Sequence, residues 1–403
     1  MGFRFFLKPI FEQKSTMTSP IKIGFLQPYS SLYPYYAEHL LTGFFLGFDR
    51  DPFRQNDIQF IPYFTESGSG TKCAEGIKKL IHIDKVDMIS GLISYAALPE
   101  ILPLLESYKK LGFFFDMGEN IPHFDYLGDH AFFSSNQLWQ SEFALGKWAS
   151  KQFGSPIGMI MPMYEAGYHL HSSFNQGVSM GSGGNILLKV IDSTKMNPHL
   201  VLPAPAIAEM KTGNPSVVHA LFSGPSGLQF LNDWHQAGLN KEIPLIVNEN
   251  MVYDEWLSDV RHLGLELFTA STYDPRNESK ENKRFVQKFR AIAGQDTNMY
   301  ALLGYEGGLV FKELFSFLQK KDFDKVKSLL KTEKVRGPRG ERNFYPESGF
   351  SIPEIDVLKV KTSNTSIDRL VVESGKGLLY NESIFKDIRE ATPSGWKNPY
   401  MCI

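Results

Sequence analysis

The sequence predicts an α/β protein of two lobes, each built around a mostly parallel sheet, and three observations point there. At 403 residues the chain is longer than one ordinary core serves. Short apolar runs alternate with stretches of helical periodicity in two successive series, the pattern of parallel strands covered by helices. The clearest unit is residues 86–120, VDMISGLISYAALPEILPLLESYKKLGFFFDMGEN. There Val86, Met88 and Ile89 run into Gly91 and Ser94, and after Pro99 the residues Ile101, Leu102, Leu104, Leu105 and Leu111 recur at helical spacing. Phe113, Phe114 and Phe115 close the unit as a second strand. Parallel strands joined by a right-handed crossover hold ligands beyond their carboxyl ends, so residues 91–95 and 116–120 are candidate ligand walls.

The other elements follow in order. Residues 21–26 (IKIGFL) read as a strand, QPYSSLYPYY as a loop, and 37–48 as a helix with Leu40, Leu41, Phe44, Phe45 and Phe48 on one side. IQFIPYF at 58–64 is the second strand, and ESGSGTKC is a turn into a helix at 74–83. A strand near 131–134 and a helix at 140–153 complete the first series. The second series opens with GMIMPM at 158–163 and continues through a helix at 168–181, a strand at 185–191 and a strand at 217–223. It closes with a helix at 227–237 and strands at 243–247 and 265–273. Helices at 281–293 and 299–320 come next, and GPRGERNFYPESGFSIPEIDVLKV has the Gly/Pro punctuation of a β hairpin. Residues beyond about 361 carry no assignment.

Composition narrows the function. Hydrophobic residues at 42% and charged residues at 21% are the balance of a globular chain. A formal net charge of −2 leaves no electrostatic footprint for nucleic acid or an anionic membrane. Cys73 and Cys402 stand far apart without metal-ligand spacing, which speaks against a disulfide framework or structural zinc. No run of 18 apolar residues predicts a membrane span. Residues 1–20 form a poor signal peptide, because Lys8 and Pro9 interrupt the apolar stretch and no small-residue cleavage site follows; Met17 is an alternative start.

Several short stretches together resemble the type I periplasmic binding proteins, in the Leu/Ile/Val-binding branch of ABC-transporter solute receptors. IKIGFLQPYSSLYPYYAEHLLTGFFLGF resembles that family's opening strand, loop and glycine-bearing helix. VDMISGLISYAALPEILPLLESYKKLGFFF resembles its strand, Gly-x-x-Ser turn and helix. FFSSNQLWQSEFALGKW resembles the passage into the second lobe, and the Gly/Pro-rich hairpin the return strand. The resemblance implies two Rossmann-like lobes joined by three crossovers, near 133–136, 268–273 and 348–355, with a ligand trapped between them by hinge closure. Lobe 1 is then 21–134 with 273–350, and lobe 2 is 135–272 with 351–372; 1–20 is an extension and 373–403 a tail of unknown role.

The same resemblance implies the site. An amino acid presents a carboxylate that hydroxyls and free N–H groups can bind, and an ammonium that needs an acid or carbonyls. The carboxylate role carries to Ser94, Tyr95, Gly118 and Asn120, with Glu119 beside them, and the aromatic of the first loop to Tyr36. In lobe 2 the family's Tyr-Gly turn aligns with Ala166 and Gly167, so Tyr164 or Tyr168 would have to supply the ring. The ammonium-binding acid falls near Asn250 with Glu249 adjacent, Ser223 offers a hydroxyl, and Tyr273 lies at the second crossover. These departures make a small polar or amide-like solute an alternative to a branched-chain amino acid.

Each residue also has an ordinary reading. Ser94 equally caps the helix beginning near Leu98, Tyr36 is one of several loop tyrosines, and Glu119 has the solvated surface as its alternative. His169 and His171 point apart on a helix, and ESGSGTKC lacks the Gly-Lys-Ser/Thr order of a phosphate loop. Sequons at Asn277, Asn364 and Asn381 are read as chance. No nucleophile or paired-carboxylate arrangement is defensible from spacing, so the expectation is a non-enzymatic protein without cofactor or metal. It would capture a small molecule and present it to an ABC permease, periplasmic by resemblance. The alternative is a cytoplasmic sensor acting on a regulatory partner, which the poor signal peptide favours.

Overall fold

The computed structural model describes residues 19–122, 128–192, 201–342, 355–375, 382–391 and 395–401. Residues 1–18, Asn381, Cys402 and nearly all of the third expected crossover lie outside the described residues. Among those described, the strands form a five-stranded sheet, a seven-stranded sheet and a two-stranded ribbon.

The first sheet is wholly parallel, in the order β2 (Ile58–Phe64), β1 (Ile21–Gln27), β3 (Met88–Leu92), β4 (Gly112–Asp116) and β5 (Ala131–Ser135). Every residue of β3, β4 and β5 is buried, which is why they read as unbroken apolar runs and not as alternations. Helices α1 (Tyr36–Gly47), α2 (Gly70–His82) and α3 (Leu98–Ser107) cover it. Ser69 caps α2 by accepting from the Lys72 N–H at 3.4 Å, so Gly70 to Cys73, expected within a turn, form the first turn of that helix.

The chain then crosses over through α4 (Leu138–Phe153) into the second sheet. Its parallel part runs β7 (Ile186–Ile191), β6 (Ile157–Pro162), β8 (Val217–Ala220), β9 (Leu245–Val247) and β10 (Glu266–Ser271). Helices α5 (Leu170–Met180), α6 (Pro203–Thr212), α7 (Gly224–Gln236) and α8 (Asp254–Val260) flank it. Next α9 (Lys280–Ala293), α10 (Met299–Gln319) and α11 (Phe323–Thr332) return to the first lobe. The hairpin is smaller than expected: β11 (Val335–Gly337) and β12 (Gly340–Arg342) pair around Pro338 and Arg339. β13 (Ile355–Thr362) instead joins the second sheet antiparallel to β10, and β14 (Ile367–Gly375) pairs with it. A last helix, α12 (Glu382–Ala391), packs on α5.

Two helix pairs set the geometry of the lobes. A Cβ on Gly43 or Gly47 of α1 would lie 2.1 Å from Ala301 O and 2.0 Å from Tyr305 O; one on Gly304 or Gly308 of α10 would lie 1.9 Å from Leu40 O and 2.0 Å from Phe44 O. The two backbones therefore touch, and only glycine fits at the crossing. In the second lobe Gly146 of α4 and Gly177 of α5 stand in the same relation, each 2.1 Å from the other helix's Phe174 O and Phe143 O. Around the first pair the phenylalanines interlock edge to face, with Phe44 to Phe311 at 5.0 Å and Phe113 to Phe311 at 5.3 Å between ring centres.

Candidate functional site

The carboxyl ends of the strands of both sheets face one cleft. From the first lobe come the loop after β1, the turn after β3 and the turn after β4. From the second come the turns after β6, β8 and β9.

Behind the cleft the crossing segments are held by a buried ionic knot. The Arg339 guanidinium meets the Glu306 carboxylate with Nε to Oε1 at 3.0 Å and Nη2 to Oε2 at 2.6 Å, both side chains fully buried. It also donates to Ser135 O at 3.3 Å and Thr272 Oγ1 at 3.3 Å, one in each of two crossing segments. Thr272 Oγ1 donates to Asn136 Oδ1 at 2.7 Å. Glu249 belongs to this knot. It accepts from Ser271 Oγ at 2.8 Å and from Asn136 Nδ2 at 3.5 Å. Burial raises its carboxyl to about 7 against the pull of Ser271 and Arg339. With Tyr273, whose hydroxyl donates to Asn282 Oδ1 at 2.8 Å, it lines a cavity of about 270 Å³ on the hinge side of the cleft.

In the first lobe the two predicted turns meet. Asn120 Nδ2 donates to Ser94 Oγ at 2.9 Å and to Glu119 Oε1 at 3.3 Å. Ser94 also caps the short turn after it, accepting from the Ala96 N–H at 3.2 Å, so capping and cleft placement coexist. Burial raises the Asp116 and Glu119 carboxyls, the charge of Glu119 adding to the rise in Asp116, and Asp116 Oδ2 accepts from Ser135 Oγ at 2.8 Å. Glu119 O accepts from the His169 N–H at 3.0 Å, and the Ile121 N–H donates to His169 Nδ1 at 2.9 Å, tying this turn to the second lobe. Burial lowers His169 to about 4, which keeps its ring a neutral acceptor. Two expected ligand residues point elsewhere. Tyr36 is buried against Tyr300 and donates to Pro28 O at 2.8 Å, bracing the first loop from beneath. Tyr95 packs on Phe133 in the apolar layer behind the sheet.

In the second lobe a tight polar pocket forms. Glu165, in the turn after β6, is fully buried; its Oε1 accepts from Ser223 Oγ at 3.0 Å, and Oε2 has no hydrogen-bond partner among the described residues. Burial pushes this carboxyl up to about 8, with Ser223 and Tyr400 pulling the other way. Asn248 and Asn250 supply amides, and Tyr164 and Tyr168 stand edge to face at 5.7 Å. Into this pocket comes the protein's own chain. Tyr400 OH donates to Glu165 Oε1 at 3.2 Å and accepts from Asn248 Nδ2 at 3.2 Å and Asn250 Nδ2 at 3.3 Å. Its ring stands edge to face on Tyr168 at 5.0 Å. Ser30 Oγ in the first lobe donates to Met401 O at 2.6 Å, and Trp396 Nε1 donates to Tyr164 O at 2.6 Å.

The cleft thus gathers Ser94, Glu119 and Asn120 on one wall and Tyr164, Tyr168, Ser223 and Asn250 on the other. Glu249 and Tyr273 go to the hinge, and Tyr36 and Tyr95 to packing. Sequence reasoning missed Glu165, Asn248, Ser30 and residues 395–401. For Glu165 the signal was a lone acid in the MYEAG turn, and for the last segment two aromatics in WKNPYM.

The raised carboxyl makes a prediction. Glu165 is neutral in both folded and unfolded chains at low pH, and folding opposes its ionisation from about 4.5 up to about 8. Stability therefore falls across that window by an amount on the order of a few kcal/mol. Thermal melts of Glu165→Gln should lose much less between pH 5 and pH 8 than those of the unaltered protein; parallel curves would remove Glu165 as the cause.

Comparison with known proteins gives a consistent picture. No curated protein matches the chain. A solute binding protein of an ABC transporter from Rhodopseudomonas palustris BisB5, solved with 3,4-dihydroxybenzoic acid, is similar at TM-score 0.73 and 20% identity, over 89% of this chain and 98% of that one. An ABC transporter substrate-binding protein from Sphaerobacter thermophilus gives 0.73 and 20%, over 90% and 100%. A leucine binding protein from Thermotoga maritima gives 0.66 and 16%, over 87% and 98%. At these identities the likeness is one of fold. The model of the family described as periplasmic binding protein matches residues 20–365, and the chain belongs to that family.

Proposed function

We propose that this protein is a periplasmic, non-enzymatic receptor that captures a small polar solute between its lobes and presents it to an ABC permease. The observation that carries the reading is Glu165. A fully buried carboxyl with an unpartnered oxygen, beside a serine hydroxyl and two amides, is a costly arrangement unless something fills it. Glu165 supplies the acid that the resemblance placed near Asn250, and it supplies it from another turn. It suits a donor: an ammonium, an amide or a hydroxyl. Of the relatives, one carries a dihydroxybenzoic acid and one is named for leucine. The donor-hungry pocket supports the ring-bearing, hydroxylated class over an aliphatic side chain.

A thermal-shift screen of amino acids, amides, amines and phenolic acids tests this. A solute at 100 times its Kd should stabilise the protein by about 2.7 kcal/mol. That gain should vanish in Glu165→Ala/Asn250→Ala. Absence of a shift with every class, in the unaltered chain and in Tyr400→Ala alike, would end the solute-capture reading, and chemical turnover of a bound solute would replace it with catalysis.

A further inference from the structure

We propose that residues 395–401 are a tethered occupant of the solute cleft, and that the pocket around Tyr400 is the subsite that recognises the phenolic hydroxyl of an incoming solute. The inference rests on the solute-capture reading of the same cleft and deepens it.

The chemistry of the pocket is selective. The group in it donates one hydrogen bond, to Glu165, and accepts one from Asn250, with the Asn248 amide, which also serves Phe222 O and Asn250 Oδ1, within reach. An ammonium has no lone pair to accept with, and a carboxylate has no hydrogen to donate. A hydroxyl does both. Only a hydroxyl carried on a flat ring also stands edge to face on Tyr168 as Tyr400 does at 5.0 Å. The phenol of Tyr400 therefore has the shape and hydrogen-bonding character that a solute needs here.

The segment is built into the cleft and not merely laid against it. A Cβ on Gly395 would lie 1.5 Å from Gly167 O, and one on Gly167 would lie 1.8 Å from the Trp396 indole, so the two chains meet glycine to glycine. The Trp396 N–H donates to Gly167 O at 2.9 Å, and Asn398 Nδ2 donates to Tyr168 OH at 3.2 Å. On the opposite wall Lys397 Nζ reaches Glu100 Oε1 at 3.1 Å and Ser30 holds Met401 O. The segment thus bridges the lobes as a trapped solute would. It is also held nearby: α12 ends at Ala391, with Ile388 buried and Arg389 Nη1 donating to Pro122 O at 2.9 Å. So short a tether keeps Tyr400 at an effective concentration in the roughly mM range, and a free phenol has to displace it.

The test uses p-cresol, the tyrosine side chain as a free molecule, with toluene as the control that lacks the hydroxyl. Calorimetric titration is run on the full chain, on Tyr400→Ala, which empties the pocket, and on Gly395→Val, which evicts the segment and leaves every side chain of the pocket in place. We expect p-cresol to bind both variants at least tenfold more tightly than the unaltered chain, and toluene to bind none of them measurably. Equal p-cresol affinity in all three proteins overturns the tethered occupant, and toluene binding as well as p-cresol overturns the hydroxyl subsite. If Gly395→Val fails to fold, Tyr400→Ala decides alone. A negative p-cresol result leaves capture of another solute standing, and a negative solute screen leaves the p-cresol result standing, so the two readings fail separately.

Discussion

Gly304→Val collapses the first lobe. The glycine sits where α10 crosses α1, and a single Cβ there already falls 1.9 Å from Leu40 O. A backbone carbonyl in a hydrogen-bonded helix cannot step aside as a flexible side chain does. Ordinary overpacking costs about 1–3 kcal/mol. Here the two helices must separate along their length and pull apart the Phe44 and Phe311 rings, so the loss should be at least ~3 kcal/mol by the same measure. Urea unfolding followed by circular dichroism reads it directly. Ser316→Val, on the exposed side of the same helix, controls for helix propensity and should cost less than ~1 kcal/mol. A Gly304→Val midpoint within the range of that control would show that the helices do not meet as described.

The second large effect lies in the hinge. Arg339→Met leaves Glu306 buried with only Arg342 near it, at 3.9 Å, and strips two crossing segments of the guanidinium that joins them. Breaking one side of a buried pair costs about 3–5 kcal/mol. Glu306→Gln should be worse. It leaves two buried guanidinium groups with no carboxylate in contact among the described residues, Glu249 acting on Arg339 only through space, and Arg342 is already lowered to about 9 by burial and by Arg339. Chemical denaturation of the two variants under one condition ranks them, and a milder Glu306→Gln would contradict the ionic account of the knot.

The parallel core was legible in the sequence because its strands are buried on both faces and leave unbroken apolar runs such as Phe113 to Phe115. β14 was not. Its apolar residues Leu370, Val371 and Val372 are exposed on an edge strand among charged neighbours, so no alternation between a core face and a solvent face marks them as a strand. The site divides in the same way. Strand order fixes which turns face the cleft, so Ser94, Asn120 and Ser223 could be named. Which way a side chain aims within a turn is set by its neighbours in space. Glu249 and Asn250 are adjacent, yet one is drawn to Ser271 and Asn136 at the hinge and the other to the phenol of Tyr400. The contact of Tyr400 with Glu165 spans 235 residues, a separation across which no local pattern carries information.

The pairing of α1 with α10 also has a consequence for how the chain is made. Synthesis releases α1 early, while its glycine-faced partner follows some 250 residues later, after strands β6 to β10 of the second sheet. At roughly 5–20 residues per second that is an interval on the order of tens of seconds. Throughout it, Phe44 and Phe48 lack the helix that covers them. The parallel part of the second lobe, whose α4 and α5 are near neighbours in the chain, is free to assemble before the first lobe closes, and β13 and β14 complete its sheet last.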